Sequence, residues 1–246
     1  MTLWVLPAAA FLGGALNALA GGGSFLTLPA LIVFGSLPPI AANATSAVVA
    51  LPGYWGGVAG SRRDLTSVGG VPVRAVVATA ALGGATGAGL LLLTPAPLFR
   101  SLIPWLMLAA TALFWFAPRL IARRREGAPA RKAAVLLSLF AASVYGGYFN
   151  GGLGILLLAV LGALGLDDLN AQSALKNLVS AALAAFSVAT FAAAGLVAWP
   201  EAAGMAAAST VGGYLGARVA RRLPRGVMRG IVIATGLTMA VLFFRR

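Results

Sequence analysis

The sequence predicts an all-α, polytopic integral membrane protein built from two homologous repeats, and three observations carry that expectation. The 246-residue chain is 60% hydrophobic and only 9% charged, where a soluble domain averages about 25% charged. Apolar runs recur along its whole length and leave no stretch for a soluble domain. Two stretches also repeat each other. The first is Gly21-Gly22-Gly23-Ser24 followed by Asn43-Ala44-Thr45-Ser46-Ala47; the second is Gly151-Gly152-Leu153-Gly154 followed by Asn170-Ala171-Gln172-Ser173-Ala174. A register shift of 129 further matches Gly83, Gly84, Gly87, Pro95 and Arg100 to Gly212, Gly213, Gly216, Pro224 and Arg229. Duplication in a polytopic membrane protein points to secondary transport, with substrate held where polar, broken helices occupy matching places in the two halves.

Five apolar segments are expected in each half, at roughly 3–20, 24–35, 40–60, 72–94 and 101–120, then 132–149, 151–166, 171–198, 200–220 and 226–244. Leu3–Ala20 has neither a basic leader nor a small-residue cleavage site and reads as a retained segment. The second segment of each half falls short of the ~20 residues a spanning helix needs, and a glycine cluster precedes each. Each first pair is therefore expected either to re-enter the membrane or to form one interrupted helix, for about 8–10 helical segments in all. The third segments carry the Asn-Ala-x-Ser-Ala motifs. Segments 72–94 and 200–220 carry Gly83-x3-Gly87 and Gly212-x3-Gly216, small-residue rows suited to close helix packing. Trp4, Trp105, Trp115 and Trp199 fall near segment ends as interfacial anchors. Between the halves (1–122 and 132–246) runs a hydrophilic linker at 123–131, expected to be a cytoplasmic loop.

Charge decides between the two arrangements. If each first pair starts and ends on one side, loops 60–74, 119–132 and 218–229 share a face with 14 of the 18 basic residues, and Arg100, Arg245 and Arg246 lie opposite. If each pair spans once, the division becomes 11 against 6. The positive-inside rule favours the first case, in which the halves are inverted, the three basic loops face the cytoplasm and the protein sits in the cell inner membrane. The same loops would attract anionic lipid head groups. No basic run is interleaved with stacking aromatics, so nucleic acid is not an expected partner.

The polar residues within apolar sequence are the candidate substrate site. Glycines unwind a helix and leave backbone amides unpaired, which hydrocarbon tolerates only where they face protein or a water-filled cavity. The amides near Gly22, Gly23, Ser24, Gly151 and Gly152 would thus suit an anion, reinforced by the helix that follows each break; close packing of small residues is the alternative. Asn43, Ser46, Asn170 and Ser173 would add hydrogen bonds, or else join helices to one another. Lys176 has no acidic neighbour at helical spacing. A cation in a membrane helix is a functional candidate by default, here as counter-charge or proton donor, although a lysine two turns from Asp167-Asp168 could also snorkel to the interface. Asp167 and Asp168 read as a turn or helix cap. No cysteine or histidine is present, and no carboxylate falls convincingly mid-membrane. The chain is accordingly not expected to be an enzyme, to bind a metal or to need a cofactor.

At these motifs the chain resembles the sulfite exporter TauE/SafE family of permeases. Ala20-Gly21-Gly22-Gly23-Ser24 with Leu28-Pro29, then Ala42-Asn43-Ala44-Thr45-Ser46, then Gly151-Gly152-Leu153-Gly154 with Asn170-Ala171-Gln172-Ser173, carry the likeness. Membership implies a permease for small sulfur-containing or organic anions such as sulfite, sulfonates or sulfoacetate. The expected function is therefore an exporter of small anions working by alternating access around a central site. The alternatives are an anion channel or a structural membrane subunit. Proton or sodium coupling and homo-oligomer formation are both compatible with the sequence.

Overall fold

The computed structural model describes residues 2–122, 131–220 and 225–244, so residues 123–130 of the linker lie outside the described residues. Among these residues there are ten α-helices and no strand: α1 (Thr2–Ala20), α2 (Ser24–Val33), α3 (Pro39–Ser61), α4 (Val73–Leu93), α5 (Ala96–Ala122), α6 (Lys132–Tyr148), α7 (Leu153–Ala163), α8 (Leu169–Ala193), α9 (Trp199–Ala220) and α10 (Arg225–Phe244). Each expected segment becomes one helix. Val73–Leu93, Ala96–Leu113 and Leu169–Ala193 are long and apolar enough to cross a membrane by length and composition.

Two boundaries differ from expectation by five residues. Helix α8 ends at Ala193, although apolar sequence continues to Ala198. Gly195 adopts φ +68°, and the Leu196 and Gly195 amides donate to the Phe191 and Ala192 carbonyls at 3.0 Å each. This glycine-terminated wrap satisfies the last carbonyls and stops the helix whatever the hydropathy beyond it. Helix α5 starts at Ala96, not at 101.

The glycine clusters break both first pairs. Gly21 (φ +79°) turns the chain between α1 and α2, and Gly152 (φ +72°) turns it between α6 and α7. These conformations are costly for any residue with a Cβ. One surface groove gathers Leu6 and Pro7 from the start of α1, Phe34 and Gly35 beyond the end of α2, and Pro200 at the start of α9. The α1–α2 hairpin thus opens at the end where α3 begins. Val135 near the start of α6 clusters with Leu161 and Leu164 at the close of α7 and with Val68 and Val71 beyond the end of α3. The α6–α7 hairpin thus opens at the end where α3 finishes. The tips of the two hairpins touch, with the Gly154 amide donating to the Gly21 carbonyl at 3.3 Å. A Cβ on either glycine would strike the backbone of the other.

The halves interleave: α1 packs on α9, α3 on α8 and α9, and α4 on α6 and α8. Small residues permit these approaches. Gly83, Gly84 and Gly87 of α4 lie against α6 and α8, where a Cβ on Gly87 would meet the Val144 carbonyl and one on Gly84 the Leu183 carbonyl. A Cβ on Gly212 would meet the Phe11 carbonyl. The packing role expected of Gly83, Gly87 and Gly212 is the one they have; the surroundings of Gly216 lie outside the described residues. Trp4, Trp105, Trp115 and Trp199 are all exposed on the helix surface.

Candidate functional site

Apart from Asn170, the polar residues singled out by the sequence fall into two neighbouring groups, joined by Tyr54. The first surrounds the crossing of the two breaks. Gly22, Gly23, Ser24, Gly151 and Gly152 are all buried there. Ser24 Oγ donates to the Asn150 carbonyl at 3.0 Å, and Asn43 Nδ2 donates to the Tyr148 carbonyl at 3.1 Å. The Ser46 and Thr27 hydroxyls share a hydrogen bond of 2.7 Å. Tyr145 donates to the Gly151 carbonyl at 2.7 Å. In this conformation Ser24, Asn43 and Ser46 therefore brace α2 and α3 against each other and against the second break. Among the described residues, the Gly22, Gly23, Gly151 and Gly152 amides have no backbone acceptor, and neither α2 nor α7 has a side-chain cap.

The second group lines a cavity of about 440 Å³ between α1, α3, α8 and α9. Gly53, Gly56, Gly60 and Thr210 form its exposed rim, while Tyr54 and Lys176 form its buried wall. Ser173, Asn177, Asn17, Ser209 and Tyr214 complete the polar lining. Lys176 is 6% exposed and is the one charged side chain among the buried described residues. It makes no ion pair among the described residues: Asp64, Asp167 and Asp168 are exposed, and Glu201 is half-buried beside the groove at the start of α9. The lysine does not snorkel; it remains inside, against the cavity. Helix spacing explains why, since Ser173, Lys176 and Asn177 follow at three- and four-residue intervals and share one face of α8.

Tyr54 stands between the groups. It lines the cavity and donates its hydroxyl to Asn150 Oδ1 at 3.4 Å. Asn150 is 3% exposed, and its Nδ2 has no hydrogen-bond partner. Such an unspent buried donor is uncommon and costly.

Asn170 belongs to neither group. It is exposed on the first turn of α8, where its backbone amide donates to Asp168 Oδ1 at 2.9 Å. Asp168 is the N-cap of α8, the role expected of that turn. The reason lies in register: the N-caps of α3 and α8 are Pro38 and Asp168, 130 residues apart, whereas Asn43 and Asn170 are 127 apart. By helix position Asn43 corresponds to Ser173, and Ser46 corresponds to Lys176.

Sequence reasoning passed over Asn17, Ser209 and Thr210. Asn17 did carry a signal: it is a lone amide in apolar α1, one turn before the glycine break. Among the described residues no group of acidic or other ligating side chains could hold a metal ion.

A neutral hydrogen-bonding lining around one buried, unpaired cation suits a small anion. The comparisons with known proteins point to membrane transport. The chain is 29% identical over 249 residues to a protein named "Probable membrane transporter protein" from Haemophilus influenzae, covering 96% of this chain and 92% of the relative. It is 24% identical over 238 residues to "Probable membrane transporter protein ORF9" from a Sinorhizobium species, covering 95% and 88% respectively. No solved structure matches. The family described as sulfite exporter TauE/SafE matches residues 6–243, and the chain therefore belongs to the sulfite exporter TauE/SafE family of membrane transport proteins.

Proposed function

We propose that this protein is a secondary transporter, working as an exporter, of small anions such as sulfite, organosulfonates or related organic acids. The observation that carries the reading is Lys176, buried without an ion pair against a cavity otherwise lined by neutral donors. An uncompensated charge in a low-dielectric interior is expensive, and a bound anion removes the penalty. Ser173 lies on the same wall. The second half of the site would be the crossing itself, where the Gly22, Gly23, Ser24, Gly151 and Gly152 amides, with Asn43 and Ser46, receive the anion once the side-chain hydrogen bonds of Ser24, Asn43 and Ser46 open. Asn170 has no part in it.

Alternating access follows from the two hairpins. They open toward opposite ends of α3, which supports inverted repeats meeting at a central site. Gly70 lies beside Lys132, 3.3 Å from a Cβ to Cε, which supports one shared cytoplasmic face for the basic loops 60–74 and 119–132. The Lys176 cavity borders the end of α3 on that side, and the braces around Asn150 close the opposite way. Rocking of the halves would exchange the two.

The test is uptake into proteoliposomes of sulfite, sulfonates, sulfate and carboxylates by wild type, Lys176→Ala and Ser24→Ala. Saturable uptake with counter-flow is expected for wild type, with loss in Lys176→Ala and impairment in Ser24→Ala. Unaltered transport in both variants would sink the site. Single cysteines at 97 and 222 should label from opposite faces; labelling from one face would reject inverted halves.

A further inference from the structure

We propose that the Lys176 cavity selects by valence, taking a monoanion such as a sulfonate or hydrogensulfite in preference to a dianion of the same size. The inference rests on the anion reading above and adds a charge count to it. Lys176 supplies the single buried charge among the described residues. Its companions on the wall, Asn17, Tyr54, Ser173, Asn177 and Ser209, are all neutral. They can donate hydrogen bonds to oxyanion oxygens but offer no second positive charge. Arg62 and Arg63 follow the rim residue Gly60 but are exposed and form no part of the cavity lining, so water and salt screen them more strongly than a charge on the lining itself.

Three states of the cavity then differ in net charge. Empty, it holds one unpaired positive charge; with a monoanion it is neutral; with a dianion it holds one unpaired negative charge. Only the middle state leaves nothing uncompensated in a low-dielectric site, where an isolated ion is far costlier than in water. Hydroxyl and amide dipoles offset part of the excess charge of a dianion, so the preference is graded. Even at an effective dielectric of about 20, an unmatched unit charge costs enough to separate the two by at least about tenfold.

Methanesulfonate, sulfamate and sulfate are close to isosteric; the first two carry one negative charge and sulfate carries two. The experiment measures binding of radiolabelled methanesulfonate to purified protein, with sulfamate and sulfate as competitors. Sulfamate is included because its polar amino group separates charge from the apolarity of a methyl. Both monoanions should compete at least about tenfold better than sulfate. Thr210→Lys adds a cation at an exposed position on the cavity rim and should narrow that gap.

Sulfate competing as well as the monoanions in wild type, with Lys176→Gln weakening binding of all three at least about tenfold, would overturn valence selection and leave the anion site standing. Binding of methanesulfonate that is absent in wild type, or unchanged in Lys176→Gln, would overturn the anion site itself. Should Thr210→Lys fail to fold, judged by size-exclusion profile, the wild-type comparison decides alone. A folded Thr210→Lys with an unchanged gap would also count against valence selection.

Discussion

Replacing Gly154 by alanine should damage the crossing on which both hairpins depend. A Cβ at this position lies 2.5 Å from Gly21 Cα and 3.2 Å from the Gly21 carbonyl oxygen, whereas carbon atoms normally rest about 3.5–4.0 Å apart. About 1 Å of separation must therefore be found between two backbones. Neither can yield easily, since Gly21 holds φ +79° and its amide donates to the Asn17 carbonyl at 2.8 Å. Overpacking of this kind costs about 1–3 kcal/mol, and losing the Gly154–Gly21 hydrogen bond adds about 0.5–1.5 kcal/mol. For a chain of this size that corresponds to a fall in Tm on the order of 10 °C. The assay is thermal unfolding in detergent beside Gly204→Ala, where a new Cβ meets nothing within 4 Å and alanine should be neutral or slightly stabilising in a helix. Equal Tm values for the two variants would refute the close crossing of the breaks.

Other positions separate site from scaffold. Gly57→Ala places a Cβ 2.5 Å from Asn177 Nδ2, while Gly56→Ala meets nothing within 4 Å; the first should displace Asn177 and raise the KM for anion uptake several-fold, and the second should not. Asn170→Ala should leave uptake within about twofold of wild type, because the side chain is exposed and the capping bond runs from its backbone amide. Tyr54→Phe removes the hydroxyl that reaches Asn150 from a residue lining the cavity, and should lower maximal uptake more than it lowers Tm.

The helices were legible because apolar runs are punctuated by glycine and proline, and ten segments read from hydropathy became ten helices with ends mostly within a few residues. The exceptions show what hydropathy lacks. Leu196, Val197 and Ala198 extend an apolar run, but backbone geometry at Gly195 had already ended α8. The glycine breaks were legible as paired features, and their contact at Gly21 and Gly154 is what facing hairpins would produce. The site was legible in part. Lys176 stood out because an unpaired cation in an apolar helix is costly, but its choice between the interface and the interior depended on the neighbours supplied by α1, α3 and α9. Matching the two asparagines by letter misaligned the repeats by nearly one turn, since what fixes equivalent positions is the helix start. Asn17, Ser209 and Thr210 escaped notice because single polar residues in α1 and α9 reveal their shared cavity only once those helices pack together.

The central claim is that the anion binds at Lys176, and equilibrium binding of a radiolabelled sulfonate to purified wild type, Lys176→Arg and Lys176→Gln tests it most directly. A hydrogen bond to a charged partner contributes about 1.5–3 kcal/mol, so Lys176→Gln should weaken binding about 10- to 150-fold, while Lys176→Arg retains a substantial part of it. Wild-type affinity in a folded Lys176→Gln protein would place the anion elsewhere and contradict the account.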